Sequence, residues 1–388
     1  MGFVFGSRTE FKNNSVFPNS MDIAGIDQNH FIIAYNWNGN GHLRCASISG
    51  LTPTFGTEIQ PYSATVGSVG VDRVDDNYGV CFYGSGSSGF SAYVITRSGT
   101  TLSVGTAAIL SLSFYAQATD MCMMSSTLAV FASSQSTVRG NTLQAATVDT
   151  STTTITPGTA TTKSAARFKY VARMDNFDST YGIIATNTPY QSVEQLLLFS
   201  VSGTTITTGS YINLSASKTE RAVEVVCINS TQVVVFCYVY DSSTTTWEIH
   251  AKLFTRTALT LTETSDITIM TGVSSSAFSS TTSVKISAEK EDSGKVVFFI
   301  DDKDNHAFYA AQVLVNGTSL SAFLTGYLVD YFSIYTGTGD NYPRMSYLPG
   351  ATTPSAVFTY LFRDSNYPGV VKVGNPTWGS FIPRVMLI

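Results

Sequence analysis

The segment Ser202-Gly203-Thr204-Thr205-Ile206-Thr207-Thr208-Gly209-Ser210 is the clearest copy of a unit that recurs about every 53 residues along the chain. Similar copies occupy 98–106 and 49–57, weaker ones 316–320 and 376–380, and 154–159 keeps only the second half of the unit. A period of this length is typical of repeat architectures, in which each unit is one small supersecondary structure.

Each period also contains one short apolar run that is rich in β-branched and aromatic residues. Such runs predict strands that are buried on both faces. Seven runs of this kind are present, at 31–35, 80–83, 128–131, 182–185, 233–236, 296–300 and 356–360.

The residues around each run complete a four-stranded pattern. A polar turn such as Arg73–Gly79 precedes the run, and an alternating strand such as His42–Ile48 follows it. A Ser-Gly or Asn-Gly turn then closes a hairpin, because glycine supplies the positive φ that tight turns need, and a fourth strand carries the Gly-Thr motif. The sequence therefore predicts an all-β fold, a seven-bladed β-propeller of four-stranded antiparallel blades.

Other repeat folds have different periods or patterns. The coils of a β-helix repeat at about 20–30 residues, and leucine-rich or helical repeats show a helical periodicity that this chain lacks. No linker divides the 388 residues, so one domain spanning 1–388 is expected. Its predicted parts are an N-terminal strand and lead-in at 1–19 and blades at 20–66, 67–117, 118–170, 171–220, 221–279, 280–339 and 340–388.

The two ends of the chain both resemble fourth strands. Phe3–Phe11 carries the fourth-strand motif, and Trp378–Val385 carries it again. Seven blades have room for seven fourth strands, so we expect one terminus to complete the last blade and the other to lie on an outer edge or against a neighbouring chain.

The amino-acid composition and the charge of the chain argue against several classes of function. Charged residues make up only 13% of the chain, the net charge is −5, and the basic residues are scattered, which argues against a nucleic-acid partner. The N-terminus has no signal-peptide pattern, and no apolar run is long enough to span a bilayer, so we expect synthesis in a host cytoplasm and no membrane insertion. The five cysteines are expected to be buried free thiols, with Cys227 and Cys237 out of register for a disulfide.

The unit Ser-Gly-Thr-Thr-(Ile/Leu)-Thr-x-Gly-(Thr/Ser) resembles repeats of tail-associated and virion-associated propeller proteins of bacteriophages and their metagenomic relatives. The resemblance covers most of the chain. It implies a structural role in a virion, with other virion proteins, copies of the same chain or a host-surface glycan as partners. The Trp-Asp, kelch, Asp-box and calcium-loop signatures of other propellers are absent from the sequence.

First strands line the channel of a propeller, and here they carry charged residues. Three arginines from different blades could grip a carboxylate together, as sialidase-like enzymes do, whereas charge pairing among the lining residues is the structural alternative. The candidate lining residues are Asp22, Asp72, Arg73, Asp120, Arg173, Glu224, Lys285 and Arg344.

No catalytic, metal or cofactor site is predicted. The densest acidic segment, Asp301–His306, lacks the glycine and the distal glutamate of a calcium loop, so we interpret it as a solvated loop. The four histidines fall in different repeats, which gives no support for a catalytic triad.

Aromatic residues cluster in the predicted connections between blades. They could stack on sugars or anchor a protein partner, or they could pack between blades. The long insertion 328–342 is the strongest candidate for a contact surface. The candidate binding residues are Phe114, Tyr115, Phe168, Tyr170, Tyr331, Phe332, Tyr335 and Tyr342, with Tyr62 as a further rim aromatic.

The sequence thus favours a non-enzymatic structural or binding propeller of a virion, tail-associated or capsid-associated. A glycosidase-like enzyme that uses Arg73, Arg173 and Arg344 is one alternative, and a cytoplasmic scaffold is another.

Overall fold

A computed structural model describes most of the chain and carries the full fold. The described residues are 2–7, 9–12, 21–85, 89–112, 119–134, 140–164, 170–187, 195–214, 220–241, 246–273, 284–292, 294–302, 307–331, 344–349, 356–361 and 369–377.

The described residues form short antiparallel strands that follow one another along the chain. The strands are β1 (Gly2–Phe5), β2 (Thr9–Lys12), β3 (Met21–Asp27), β4 (His30–Trp37), β5 (Asn40–Ser49), β6 (Thr52–Phe55), β7 (Ile59–Tyr62), β8 (Val66–Arg73), β9 (Tyr78–Ser85), β10 (Gly89–Ser98), β11 (Thr101–Val104), β12 (Ala108–Leu110), β13 (Thr119–Ser125), β14 (Leu128–Ser134), β15 (Gly140–Asp149), β16 (Thr154–Pro157), β17 (Thr161–Ser164), β18 (Tyr170–Asn176), β19 (Tyr181–Asn187), β20 (Gln195–Ser202), β21 (Thr205–Asn213), β22 (Glu220–Asn229), β23 (Gln232–Asp241), β24 (Thr246–Thr257), β25 (Thr260–Val273), β26 (Val284–Asp292), β27 (Lys295–Asp302), β28 (Ala307–Asn316), β29 (Ser319–Tyr331), β30 (Arg344–Tyr347), β31 (Ala356–Leu361) and β32 (Gly369–Thr377).

These strands make seven antiparallel sheets of four or five strands, which confirms the predicted seven-bladed propeller. Blades 1 to 6 are β3–β7, β8–β12, β13–β17, β18–β21, β22–β25 and β26–β29, and blade 7 joins β30–β32 to β1 and β2. In blades 1, 2 and 3 the fourth strand is split into two short strands that pair with the same third strand. The described part of the chain contains no helix that could cross a membrane.

Each of the seven apolar runs lies in the second strand of its blade, as predicted. In β4, β9, β14, β19, β23 and β27 these residues are almost completely buried, because neighbouring blades cover both faces of the strand. Aromatic rings meet across the junctions: Phe82 packs edge-on against Phe131 with ring centroids 6.1 Å apart, and Phe236 lies 5.3 Å from Phe298. Burial of each such ring stabilises the fold by about 1.5–3 kcal/mol.

The glycine of the Gly-Thr motif is required where neighbouring blades touch. A Cβ atom at Gly56 would lie 2.2 Å from the carbonyl oxygen of Thr100, in the hairpin turn of the next blade. Four further junctions have a similar close contact between a glycine in the fourth strand, or directly after its first part, and the next hairpin turn, and the contact is mildest at Gly209. Those glycines are Gly6, Gly105, Gly158 and Gly209. The glycine of the repeated motif therefore occurs where neighbouring blades approach too closely to leave room for a side chain.

The N-terminal segment closes the ring. Both β1 and β2 pair with β32, so the outer strand of blade 7 comes from the opposite end of the chain. Phe11 is 1% exposed and packs against Tyr35 of blade 1. Lys12 Nζ lies 2.8 Å from the carboxylate of Glu58, also in blade 1. Of the two predicted alternatives, the N-terminus fills the vacant position; the other candidate strand, Trp378–Val385, lies outside the described residues.

Two details differ from the sequence-based expectations. Residues 328–331 of the predicted insertion at 328–342 belong to β29, which pairs with β28 as far as Tyr331, and residues 332–342 lie outside the described residues. Tyr62 lies in strand β7 and not in a loop; it stacks on Tyr83 of the next blade with centroids 5.9 Å apart, so the predicted alternative of packing between blades holds for this residue.

The five cysteines all lie in described strands and are buried free thiols. Cys227 lies opposite Val233 and Cys237 lies opposite Ala222, so the two are out of register for a disulfide.

A turn in blade 5 offers a direct test of the turn chemistry. Ala258 has φ 52° at the first loop position of a hairpin where the equivalent Gly203 has φ 56°. An alanine is strained there, so we expect Ala258→Gly to raise the free energy of unfolding by about 0.5–1 kcal/mol. The matched Gly203→Ala change should lower it by about 1 kcal/mol. Urea titrations measure both; a lower midpoint for Ala258→Gly would contradict the strain.

Closure by the N-terminal strand predicts a large effect from one side chain. Phe11→Ala removes a fully buried ring at the junction of blades 7 and 1 and should lower the free energy of unfolding by about 3–5 kcal/mol. Phe11→Leu, which keeps an apolar side chain, is the matched control and should retain most of the stability. Thermal unfolding measures the two variants, and equal melting temperatures for Phe11→Ala and the unmodified chain would show that the segment does not close the ring.

Candidate functional site

The innermost strands of all seven blades surround a cavity of about 730 Å³ on the propeller axis. Of the predicted lining residues, Asp22, Asp72, Arg73, Asp120, Arg173 and Glu224 line it. Arg344 lies beside it, with Nε 3.4 Å from Oδ1 of Asp22. For Lys285 only the backbone, in β26, is described.

Six polar side chains on the innermost strands link one blade to the next. A carboxylate or hydroxyl oxygen of one first strand accepts a hydrogen bond from a backbone N–H of the next first strand. Six of the seven junctions have such a junction bond among the described residues. The pairs are Asp22 with Val71, Asp72 with Met123, Asp120 with Met174, Asp175 with Cys227, Ser287 with Met345 and Ser346 with Gly25, at 2.7–3.1 Å.

Strand register sorts the channel side chains into two levels. Four channel residues lie opposite second-strand residues that occupy the same position in their repeats, and we call this position the upper level. These residues are Asp22, Asp120, Arg173 and Glu224. Asp72, Asp175 and Glu289 stand two residues further along their own strands, at the lower level. Two residues of a strand span about 6.6 Å along the channel.

Arg173 occupies the upper level and binds carboxylates from three other blades. Its Nη1 lies 3.5 Å from Asp120 and 3.6 Å from Asp22, and its Nε lies 3.3 Å from Glu224. The side chain is 14% exposed. Burial by itself lowers the pKa of a guanidinium, but the carboxylates of Glu224, Asp120 and Asp22 raise the pKa of Arg173 well above its usual range. Arg173 is therefore a permanent positive charge that holds blades 1, 3, 4 and 5 together.

Glu224 occupies the same position in its repeat as Asp22 and Asp120, but its carboxylate does not accept a junction bond as theirs do. Its Oε1 accepts hydrogen bonds from Arg173 and from its own neighbour Val225, and no junction bond joins blades 5 and 6 among the described residues. The residue is 2% exposed, and its Oε2 has no hydrogen-bond partner. Burial raises the pKa of Glu224 to about 7.

The lower level is a second group of three carboxylates, contributed by blades 2, 4 and 6. Burial raises the pKa of Asp72 to about 7 and that of Asp175 to about 6, in spite of two backbone hydrogen bonds to each carboxylate. Burial, and then the charges of Asp175 and Asp72, raise the pKa of Glu289 well above its usual range. The three groups therefore repel one another when they are ionised.

The three arginines do not form a joint carboxylate grip. Arg73 stands three residues further along its strand than Arg173, which separates them by about 10 Å along the channel. Arg73 bonds Asp76 at 2.8 Å and the carbonyl oxygen of Ile26. Arg344 pairs with Asp22, and burial lowers its pKa. Each arginine already has an oxygen partner within the chain.

The predicted rim aromatics fall outside what the structure describes. Phe114, Tyr115, Phe168, Phe332, Tyr335 and Tyr342 are not among the described residues, and Tyr170 and Tyr331 are described by backbone alone. The acidic segment Asp301–His306 is described only for the backbone of its first two residues. Within the described ranges, no three His, Cys, Asp or Glu side chains form a group suited to a metal ion.

Sequence reasoning missed Asp175 and Glu289. The signal for Asp175 was present, because Asp72–Gly79 and Asp175–Gly182 share the pattern Asp-x-x-Asp-x-x-Tyr-Gly. Alignment of these two turns puts Asp175 at the same place on its strand as Asp72. Glu289 has no such motif, and only its position before the turn of blade 6 indicates its level.

Removal of the central guanidinium should destabilise the ring. Arg173→Met removes the cation that three carboxylates share and leaves only Arg344, which pairs with Asp22, so we expect a loss of about 3–5 kcal/mol in the free energy of unfolding at pH 8. At pH 5 the loss should be smaller, because the freed carboxylates take up protons. Arg73→Met, which removes a partner of the exposed Asp76, is the control and should cost about 1 kcal/mol or less. Denaturant titrations at both pH values test this; equal losses for the two variants would contradict the central role of Arg173.

Comparisons with known proteins identify the fold but no family. No protein-family model matches the chain, and no curated protein sequence matches it. An oligogalacturonate lyase in complex with manganese is similar over 97% of both chains, with a TM-score of 0.52 and 10% identity. A protein from Lactobacillus plantarum is similar over 81% of this chain and 86% of its own, with a TM-score of 0.50 and 12% identity. The NanB sialidase of Streptococcus pneumoniae covers 97% of this chain and 70% of its own, with a TM-score of 0.47 and 10% identity. At such identities the likeness shows the propeller fold alone, and none of these three links the chain to bacteriophages.

Proposed function

We propose that this chain is a non-enzymatic structural and binding propeller of a virion, tail-associated or capsid-associated, that contacts other virion proteins, copies of itself or a host-surface glycan. The observation that carries the proposal is the use of the channel side chains. Asp22, Asp72, Asp120 and Asp175 are engaged in bonds between blades, and Arg173 is enclosed by three carboxylates. Groups that hold the ring together in this way are poorly suited to proton transfer or nucleophilic attack.

The surface composition supports the same proposal. Serine and threonine replace most of the usual charged residues, and every described strand of the seven sheets is paired with a neighbouring strand. A rigid scaffold with loops at one rim is suited to stable contacts with a partner. The resemblance of the repeat unit to phage propellers supports a partner within a virion.

An enzyme of the glycosidase or sialidase type is the competing proposal. It requires free arginines that converge on one substrate carboxylate. Here Arg73 is about 10 Å from Arg173 along the channel, and Arg173 and Arg344 already form ion pairs with the same oxygen, Oδ1 of Asp22. The geometry therefore favours the structural role. A cytoplasmic scaffold is the third proposal, and it differs from the first only in where the chain is found.

Purification of particles tests the proposed role. If the chain is a virion component, gradient-purified particles from a culture that carries its genome should contain it in a fixed ratio to the major capsid protein, as measured by quantitative mass spectrometry. A host cytosolic protein of similar abundance serves as the control for contamination. A chain found only in the soluble host fraction would contradict the virion role. Cleavage of a fluorogenic sialoside that is lost in Arg344→Ala would instead support the enzyme.

A further inference from the structure

Blade 5 has a network of ionisable side chains between its third strand β24 and its outer strand β25. His250 Nδ1 lies 2.7 Å from Oδ1 of Asp266, and His250 Nε2 lies 3.0 Å from Oε2 of Glu248. Lys252 Nζ lies 3.4 Å from Oδ2 of Asp266 and 3.2 Å from Oε2 of Glu263. Asp266 therefore joins the imidazole to the lysine, and we call these five side chains the blade 5 cluster.

The contacts of His250 depend on the charge state of its ring. A neutral imidazole has one N–H donor, an imidazolium has two, and an ionised carboxylate only accepts hydrogen bonds. Both Asp266 and Glu248 can therefore be bonded to the ring only when it is protonated. In the neutral ring, Nε2 can instead accept the hydroxyl proton of Thr268, 3.4 Å away, but the bond to Glu248 is then lost. The ring is 6% exposed, so little water reaches it to replace that bond.

The balance of charge in the cluster changes with the same proton. When His250 is protonated, three carboxylates are matched by two cations. When it is neutral, Lys252 alone faces the three carboxylates of Glu248, Glu263 and Asp266. Since both basic side chains are buried, screening by water is weak and the carboxylates repel one another more strongly.

The neighbouring elements add no described charge at this place. Cys237 of β23 lies opposite His250. Tyr211, the titratable residue of β21 in blade 4, is bonded to blade 3, and Arg256, further along β24, pairs with an aspartate of blade 4. The side chains of 220–223, at the start of β22, are not described. Among the described residues, the charge around the ring is therefore that of the cluster itself.

The cluster acts on a short stretch of the outer strand. Residues 265–268 of β25 pair with 250–253 of β24, and the register shifts at both ends of this stretch. Such irregularities interrupt the ladder of backbone hydrogen bonds. On one face Ile267 packs against the apolar core, and on the other the cluster holds the stretch. The stretch can therefore open locally while the rest of β25 stays paired.

The same position in blade 1 also has a histidine, but with different partners. His42 is the counterpart of His250, because each precedes the third-strand residue that lies opposite Ala34 or Phe236. Its Nδ1 lies 3.0 Å from Glu58, and its Nε2 has no hydrogen-bond partner among the described residues. A ring with one carboxylate contact needs only one N–H donor. Contact with two carboxylates is thus a feature of blade 5 and not of this position in the repeat.

We propose that His250 is a pH-sensitive switch that holds residues 265–268 of β25 against β24 while its ring is protonated and loosens them when the ring is neutral. Loss of the proton removes the donor of one carboxylate and one of the two cations of the cluster. The loosened state opens the outer edge of β24 over this stretch. The partly exposed carboxylates of Glu248, Glu263 and Asp266 are then hydrated in place of their lost contacts.

The directions of the pKa shifts give the pH interval. Burial lowers the pKa of His250, but the hydrogen bonds and charges of Asp266 and Glu248 raise it above its ordinary value of 6.5. The stability that this ring contributes is fully present below pH 6.5 and is lost as pH rises through the raised pKa. Burial raises the pKa of Asp266, but His250 and Lys252 lower it below its ordinary value of 3.8. Asp266 therefore stays ionised while the switch acts.

Hydrogen–deuterium exchange of the whole chain at pH 6 and pH 9 tests the switch, with exchange times corrected for the intrinsic effect of pH on amides. The protection of peptides that cover 265–268 should fall about tenfold more than that of peptides from β14, because one charge-assisted hydrogen bond is lost. In His250→Gln, which cannot be protonated, protection of the stretch should be weak at both pH values. Equal protection of 265–268 at both pH values in the unmodified chain would overturn the proposal.

Two further variants separate the switch from a general effect on folding. His30→Gln is the matched control, because His30 bonds Asp27 through one ring nitrogen, and it should keep the pH dependence of the stretch. Glu248→Gln is a milder change at a partly exposed side chain, in case His250→Gln does not fold. Its amide can bond either state of the ring, so the loosening should shift to lower pH and become smaller. A pH dependence that Glu248→Gln leaves unchanged, or that His30→Gln abolishes, would overturn the proposal.

Discussion

The fold depends on hydrogen bonds that the innermost strands make across the junctions between blades. Apolar packing between sheets is strong but has no preferred direction, whereas a hydrogen bond joins two particular atoms and so defines the level of one blade relative to the next. A carboxylate of Asp22 or Asp120 that accepts one backbone N–H of the next blade fixes that position. Arg173 then holds both of these carboxylates at the centre of the ring. The hydrogen bonds and ion pairs of the charged channel therefore hold the seven sheets at the same level along the propeller axis.

Much of this fold could be predicted from the sequence because the same physical requirement recurs in every repeat. The apolar runs mark strands covered on both faces, and the Ser-Gly or Asn-Gly pairs mark turns with positive φ, as at Gly203. The glycine of the Gly-Thr motif marks a contact too close for a side chain, as between Gly56 and Thr100. The two fourth-strand motifs at the ends predicted a closure by one terminus. Which terminus closes the ring depends on pairing between distant strands, and no local pattern indicates that choice.

The candidate site was only partly predictable. The sequence places charged residues on first strands, but the level of each side chain depends on strand register, and a shift of two residues moves a group by about 6.6 Å along the channel. Arg73 and Arg173 therefore seemed equivalent in the sequence and are far apart in the fold. Asp175 was missed because its repeat was not aligned with that of Asp72. The rim aromatics depend on connections that have no repeated pattern at all.

In a repeat protein, a feature that most blades share is one that the fold requires, so a blade that lacks the feature can be compared directly with the others. The junction bonds are the shared feature, so residues that stand at the same places without forming such a bond need another explanation. Those residues are Arg173, Glu224 and Glu289, and they come from the consecutive blades 4, 5 and 6. One side of the channel thus departs from the pattern while the other side keeps it. Among the described residues, the departure leaves the junction of blades 5 and 6 without such a bond and leaves Oε2 of Glu224 unpaired, both of which cost stability. Arg173 joins Glu224 to Asp22 and Asp120, so ion pairs across the ring take the place of the regular junction bond on that side.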